Sequence, residues 1–134
     1  MKKCLLPLLL LLTINSVHAI SDSECRDVYN ESFKDLVSAS RDFNSNSINK
    51  FEFSLQVSEI STRVAGTRAI CLAVESPDNK KCVAAYKKRY KTLRKQIKLT
   101  SVLVGNQTEV KPRVIQSISN EFSSLINRVR CGDL

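Results

Sequence analysis

The stretch from residue 80 to residue 98, KKCVAAYKKRYKTLRKQIK, constrains the fold more than any other part of the chain. It contains nine basic residues and no acidic residue. Its apolar residues recur at steps of three and four, which is the spacing of one helix face packed against neighbours. These apolar residues are Val83, Tyr86, Tyr90, Leu93 and Ile97. The stretch therefore predicts a helix whose apolar face, including both tyrosines, lies in a core.

The basic residues of this helix fall on a different side from its apolar face, since successive residues turn by about 100°. We call the following six residues the basic ridge: Lys87, Lys88, Lys91, Arg94, Lys95 and Lys98. A one-sided positive surface attracts phosphates, anionic lipid headgroups or acidic protein surfaces. Nucleic acid suits the charge, but predicted export and the absence of a reader motif argue against it as the physiological partner. A solvated helix face without any partner is the competing interpretation, with about equal weight.

The first residues have the three regions of a secretory signal peptide. Lys2 and Lys3 are basic, an apolar run follows from Leu5 to Leu12, and Ala19 supplies a small residue for cleavage. The apolar run is too short to span a bilayer as a helix. We therefore expect residues 1–19 to be removed and 20–134 to form a single helical domain, periplasmic or secreted, with no transmembrane segment. Removing 19 residues from the 134 leaves 115, with a formal charge of +6 in place of +8.

Four cysteines remain after this cleavage, an even number that predicts two disulfides in an exported protein. Four cysteines allow three connectivities, and the packing of the helices permits more than one of them. The favoured connectivity joins Cys71 to Cys82 across a short connection and Cys25 to Cys131 between the ends of the chain. Metal binding is the weaker interpretation, because the only histidine leaves with the signal peptide and no C-x-x-C spacing occurs.

Four helices account for most of the predicted domain. Ser21 and Glu24 form a capping box that starts helix 1, over about 22–43. Helix 2 is predicted over about 48–75, helix 3 from Ser76-Pro77-Asp78, and helix 4 from Pro112. The apolar segment 99–104 is compatible with buried helix or with an extended segment.

Helix 2 has a heptad-type apolar seam and two further features. Its early apolar residues Ile48, Phe51 and Leu55 lie off that seam, which predicts either a kink or first turns that are covered from two directions. Its small residues form a second side, which would permit the close approach of another helix; an ordinary tight core contact is the favoured interpretation. They are Ser58, Thr62, Ala65, Gly66 and Ala69.

Short connections between four helices favour an all-α fold, a small antiparallel (up-down-up-down) four-helix bundle stapled by two disulfides. In size, leader, cysteine number and helix content, the chain resembles the small helical immunity proteins that guard against secreted amidases.

The sequence favours a non-enzymatic protein with no catalytic residues, cofactor or metal site. Nucleophilic arrangements that need histidine are excluded from the mature chain, and no glycine-rich phosphate loop occurs. Glu52 and Glu59 share one side of helix 2, where solvated charges are commoner than acid–base pairs. We therefore expect an exported interaction module whose basic ridge docks an anionic protein or envelope component. The alternative is a periplasmic inhibitor or immunity protein that blocks a toxin or lytic enzyme; the sequence leaves the oligomeric state open.

Overall fold

The computed structural model describes residues 21–74, 80–104 and 109–127. These residues form α1 (Asp22–Asn44), α2 (Lys50–Val74), α3 (Lys80–Val104) and α4 (Pro112–Ile126), with no strand among them. The all-helical prediction is therefore confirmed, and residues 99–104 belong to α3 as helix. The predicted signal peptide, the connection at 75–79 and Cys131 lie outside the described residues. None of the four described helices is long and apolar enough to cross a membrane.

The predicted capping box at the start of α1 is confirmed. The Glu24 backbone N–H donates to Ser21 Oγ at 3.4 Å, and the Ser21 N–H donates to Glu24 Oε2 at 2.6 Å. Each bond satisfies a backbone donor that has no partner within the helix. After α1 ends, Asn46 adopts a left-handed conformation with φ of 60°, which asparagine tolerates better than most residues.

A second capping box, which the sequence analysis missed, starts α2. Asn49 Oδ1 accepts from the backbone N–H groups of Phe51 at 2.8 Å and Glu52 at 3.0 Å. In return, the Asn49 N–H donates to Glu52 Oε2 at 2.8 Å. The helix therefore begins two residues later than predicted from Ile48, because its cap is Asn49.

The core lies between the apolar faces of all four helices. Tyr86, Leu93 and Ile97 are fully buried and Tyr90 is nearly so, which confirms the predicted face of α3, whereas Val83 is only half-buried. The Tyr86 hydroxyl forms a hydrogen bond with the hydroxyl of Tyr29 on α1. The largest fully buried side chains are Tyr29, Tyr86, Phe53, Phe122, Leu36, Leu93, Ile97, Ile118, Leu125, Val57 and Val64.

Residues near the beginning of α1 contact residues near the end of α2, and residues near the end of α1 contact residues near the beginning of α2. The beginning of α1 is joined to the end of α2 by a disulfide, and farther along Asp35 pairs with Arg63. At the far end, the rings of Phe43 and Phe53 lie 5.0 Å apart.

The disulfide joins Cys25 to Cys71, with their Cα atoms 5.8 Å apart. The predicted pairing of Cys71 with Cys82, and therefore of Cys25 with Cys131, is wrong. Chain proximity suggested Cys82 as the partner of Cys71. The packing of α1 against α2 instead brings Cys25 to Cys71, although 46 positions separate them in the sequence.

The exposed side of α2 corrects two further predictions. Phe51 is 71% exposed and Leu55 is 54% exposed, so neither is covered from a second direction. The small residues do not make a tight core contact either, since Ala65 is half-buried and Ser58, Thr62, Gly66 and Ala69 are exposed. A Cβ atom built on Gly66 would meet nothing within 4 Å. The predicted core contact is wrong because this side points directly away from the buried seam.

Candidate functional site

All six residues of the basic ridge are exposed on α3. The helix places them there because its fully buried residues occupy the opposite side. The neighbouring Arg89 points to α4 instead, where its Nη1 lies 3.3 Å from Glu121 Oε1. No ion pair joins a ridge residue to a carboxylate among the described parts of the chain. The ridge is therefore a positive surface without a described counter-charge.

Part of the basic ridge borders a groove of about 450 Å³ beside α2, which we call the basic groove. Five of its described lining residues are cationic and none is acidic. The lining residues are Arg68 of α2 and Tyr90, Lys91, Arg94, Lys95, Lys98 and Leu99 of α3. The structure thus adds Arg68 and two apolar side chains to the predicted site, whereas Lys87 and Lys88 do not line the groove.

Arg68 reaches the basic groove across the boundary between α2 and α3. Its guanidinium carbon lies 4.8 Å from the centre of the Tyr90 ring. This stacking holds the cation without a carboxylate. Its Nε is buried and has no hydrogen-bond partner among the described residues. Arg68 therefore places a fifth cation in the groove.

The other side of α2 borders a groove of opposite charge, which the sequence analysis did not identify. Two adjoining depressions between α1 and α2 have volumes of about 390 and 360 Å³. Their lining includes Glu59 and Arg63 of α2 and five acidic residues of α1, which we call the acidic row. The acidic row consists of Glu24, Asp27, Glu31, Asp35 and Asp42. We call the two depressions the acidic groove.

The spacing of the acidic row was visible in the sequence. Glu24, Asp27, Glu31 and Asp35 follow one another at steps of three, four and four, so they share one helix side. The basic residues Arg26 and Lys34 lie between these acidic residues in the sequence and hid the pattern. A net charge counted along the chain does not show which charges share one side of a helix. Two row members have other roles, because Glu24 caps α1 and Asp35 binds Arg63.

An uncharged band of α2 separates the two grooves. We call it the neutral strip and define it by the exposed residues Phe51, Leu55, Ser58, Thr62, Gly66 and Ala69. Phe51 and Leu55 form its exposed apolar end, one helical turn apart, beside the small residues. The molecule thus presents an acidic groove, a neutral strip and a basic groove in succession around α2.

The described parts of the chain contain no candidate metal centre. No group of three or more histidine, cysteine or acidic side chains is placed there to hold a metal ion. Glu52 caps α2, and Glu59 lies exposed beside the acidic groove. No protein-family model, curated protein or solved structure matches this chain.

Proposed function

We propose that this protein is an exported, non-enzymatic interaction module whose basic ridge docks an anionic partner, either an acidic protein surface or an anionic envelope component. The observation that carries the proposal is the basic groove. It combines five cations with no described acid and adjoins the rest of the ridge. Exposed charges of one sign steer an oppositely charged partner toward the surface that carries them.

The groove has the composition of a docking surface because charge and apolar contact occur together. Leu99 is 43% exposed, and the nearby ring of Tyr90 supports Arg68. Exposed ion pairs alone contribute little, since water and salt screen them. An apolar contact at Leu99 would add affinity that depends less on salt.

An up-down-up-down arrangement of the four helices forms part of the proposal. It is supported by the contacts between neighbouring helices, in which residues later in one helix meet residues earlier in the other. Arg89 and Gln96 of α3 bond with Glu121 and Ser117 of α4, respectively. The same order relates α1 and α4, where Tyr29 packs against Phe122, and Asn44 bonds with Val110 just before α4.

A second disulfide between Cys82 and Cys131 completes the proposed fold. Cys82 is 7% exposed and disulfide-bonded, and Cys25 already holds Cys71. If residues 1–19 are removed, Cys131 is the remaining partner. Peptide mapping of the oxidised protein should find the Cys82–Cys131 linkage. The intact mass of the exported form should correspond to a chain that begins at Ile20.

The docking proposal is tested by reversing Lys87, Lys91, Arg94 and Lys98 to glutamate together. Because all four side chains are exposed, the variant should keep its helical circular dichroism spectrum. The mature wild-type protein should bind acidic proteins in a periplasmic extract or anionic phosphatidylglycerol vesicles, and the variant should bind neither. Capture of one source and not the other identifies the class of partner.

A matched control carries Lys111→Glu and Arg113→Glu, which are exposed charges at the start of α4. This control should bind like the wild type, and binding should weaken steeply with added salt. Unchanged binding of the ridge variant would contradict the proposal and favour an inhibitor that uses another surface. Unfolding of the variant would show that the ridge side of α3 is needed inside the fold.

A further inference from the structure

We propose that the anionic partner of the basic ridge is the acidic row of a second copy of this chain, so that copies associate head to tail, α1 of one against α3 of the next. The inference rests on the proposed function, because it names the partner of the same ridge. It also gives the acidic groove a role.

The charges of the two helices are spaced alike. On α1, Glu24, Glu31, Asp35 and Asp42 follow at intervals of seven, four and seven residues. On α3, exposed lysines follow at the same intervals. A parallel α1–α3 contact in this register therefore pairs Glu24 with Lys80, Glu31 with Lys87, Asp35 with Lys91, and Asp42 with Lys98.

The fold aligns α1 and α3 along the bundle axis almost as this register requires. The hydroxyl bond between Tyr29 and Tyr86 aligns α1 with α3 at an offset of 57 positions. The charge register needs an offset of 56, and one residue corresponds to only about 1.5 Å along a helix. In the proposed topology α1 and α3 point the same way. Two copies placed side by side in the same orientation therefore bring the acidic row of one opposite the lysines of the other without an axial shift.

The neutral strip supports the same contact. Both grooves border α2, so a contact between the acidic groove of one copy and the basic groove of the next also brings their α2 helices together. Between Ser58 and Ala69 the strip has no charge and no large side chain that would keep a second helix away. Phe51, which is 71% exposed, would lose water contact in this arrangement.

A head-to-tail contact without axial displacement closes into a ring, whereas a displaced contact would extend into a filament. Exposed ion pairs contribute little individually and are screened by salt. Association should therefore be weak, should depend on concentration, and should end in a discrete small oligomer at low salt.

Sedimentation equilibrium of the mature, oxidised protein tests the inference with a charge swap. One variant carries Glu31→Lys and Asp42→Lys, which leaves Glu24 at its cap and Asp35 on Arg63. The other carries Lys87→Glu and Lys98→Glu, the two lysines that face Glu31 and Asp42 in this register. Each should remain monomeric where the wild type associates. The chain with all four substitutions has the net charge of the wild type and should associate again, because its rows are complementary once more. The control Lys111→Glu/Arg113→Glu should associate like the wild type.

The inference would be overturned if the wild-type protein stayed monomeric at low salt up to roughly 1 mM, because a dissociation constant above that concentration corresponds to very weak binding. Failure of the four-substitution chain to associate would also overturn it. Binding of the same variants to poly-glutamate and to phosphatidylglycerol vesicles separates the two proposals. A monomer that binds either probe through Lys87 and Lys98 refutes self-association and leaves the proposed function standing. A monomer that binds neither contradicts both.

Discussion

The two grooves beside α2 have opposite charge and are held together differently. The acidic groove is lined by six carboxylates and one arginine, and the Cys25–Cys71 disulfide and the Arg63–Asp35 ion pair cross its helix boundary. The basic groove is lined by five cations, with Arg68 stacked on Tyr90. In the acidic groove, the ion pair between Arg63 and Asp35 already satisfies one attraction within the chain. In the basic groove like charges remain together, so the proposed anionic partner would gain more by binding there.

The largest difference between the grooves should come from removing the disulfide by Cys25→Ser and Cys71→Ser. On the chain-entropy model, a loop that joins cysteines 46 positions apart contributes about 4 kcal/mol to the free energy of unfolding. Urea denaturation should show a loss of that order. Hydrogen exchange should increase more in α1 and α2 than in α3 and α4. A uniform increase would mean that the disulfide does not act locally on the acidic groove.

A smaller effect, of opposite sign, is expected in the neutral strip between the grooves. Gly66→Ala should stabilise the protein by about 0.5–1 kcal/mol, because alanine restricts the unfolded chain and favours helix. The added Cβ atom meets nothing within 4 Å. Thermal denaturation measures the change, and Ala69→Gly provides the reverse substitution on the same strip. Destabilisation by Gly66→Ala would show that another segment covers the strip.

The smallest predicted effect compares the two arginines of α2. Arg63→Met should lower the free energy of unfolding by about 0.2–1 kcal/mol, the range for exposed ion pairs, since the Arg63 and Asp35 side chains are 36% and 52% exposed. Arg68→Met should cost less, because relief of repulsion from the ridge offsets the lost stacking on Tyr90.

Added salt should reduce the difference between these two variants, since it screens both the attraction at Arg63 and the repulsion at Arg68. Paired urea denaturation at low and high salt provides the measurement. A larger loss for Arg68→Met than for Arg63→Met at low salt would contradict the contrast between the grooves.

Most of the fold was predictable because helix periodicity is a local property. The buried seam of α2, with Phe53, Val57 and Ile60, follows from steps of three and four residues alone, and so does the start of α1 at Ser21. The partner of Cys71 was not predictable in this way. Periodicity does not determine which helix ends meet when several cysteines lie near the same end.

The candidate site was predictable only in part. The basic ridge follows from α3 alone, since that helix contains no acid that would mask its charge. Arg68 enters the basic groove through the packing of α2 against α3, which no single-helix pattern reveals. The exposure of Phe51 was missed because a large apolar residue was assumed to be covered within its own chain.

The hydrogen bond between the Tyr29 and Tyr86 hydroxyls also bears on how the charges of the molecule are separated. Because the bond aligns the acidic row of α1 with the basic ridge of α3, we expect these two sets of charges to be separated across the bundle and not along it. A charged surface would therefore turn the molecule about its long axis, bringing α3 toward negative charge and α1 toward positive charge. A bundle with the same charges but one helix displaced lengthwise would tilt end-on instead. In the proposed topology, the alignment marked by this pair of buried hydroxyl groups would therefore orient the protein before it contacts a charged surface.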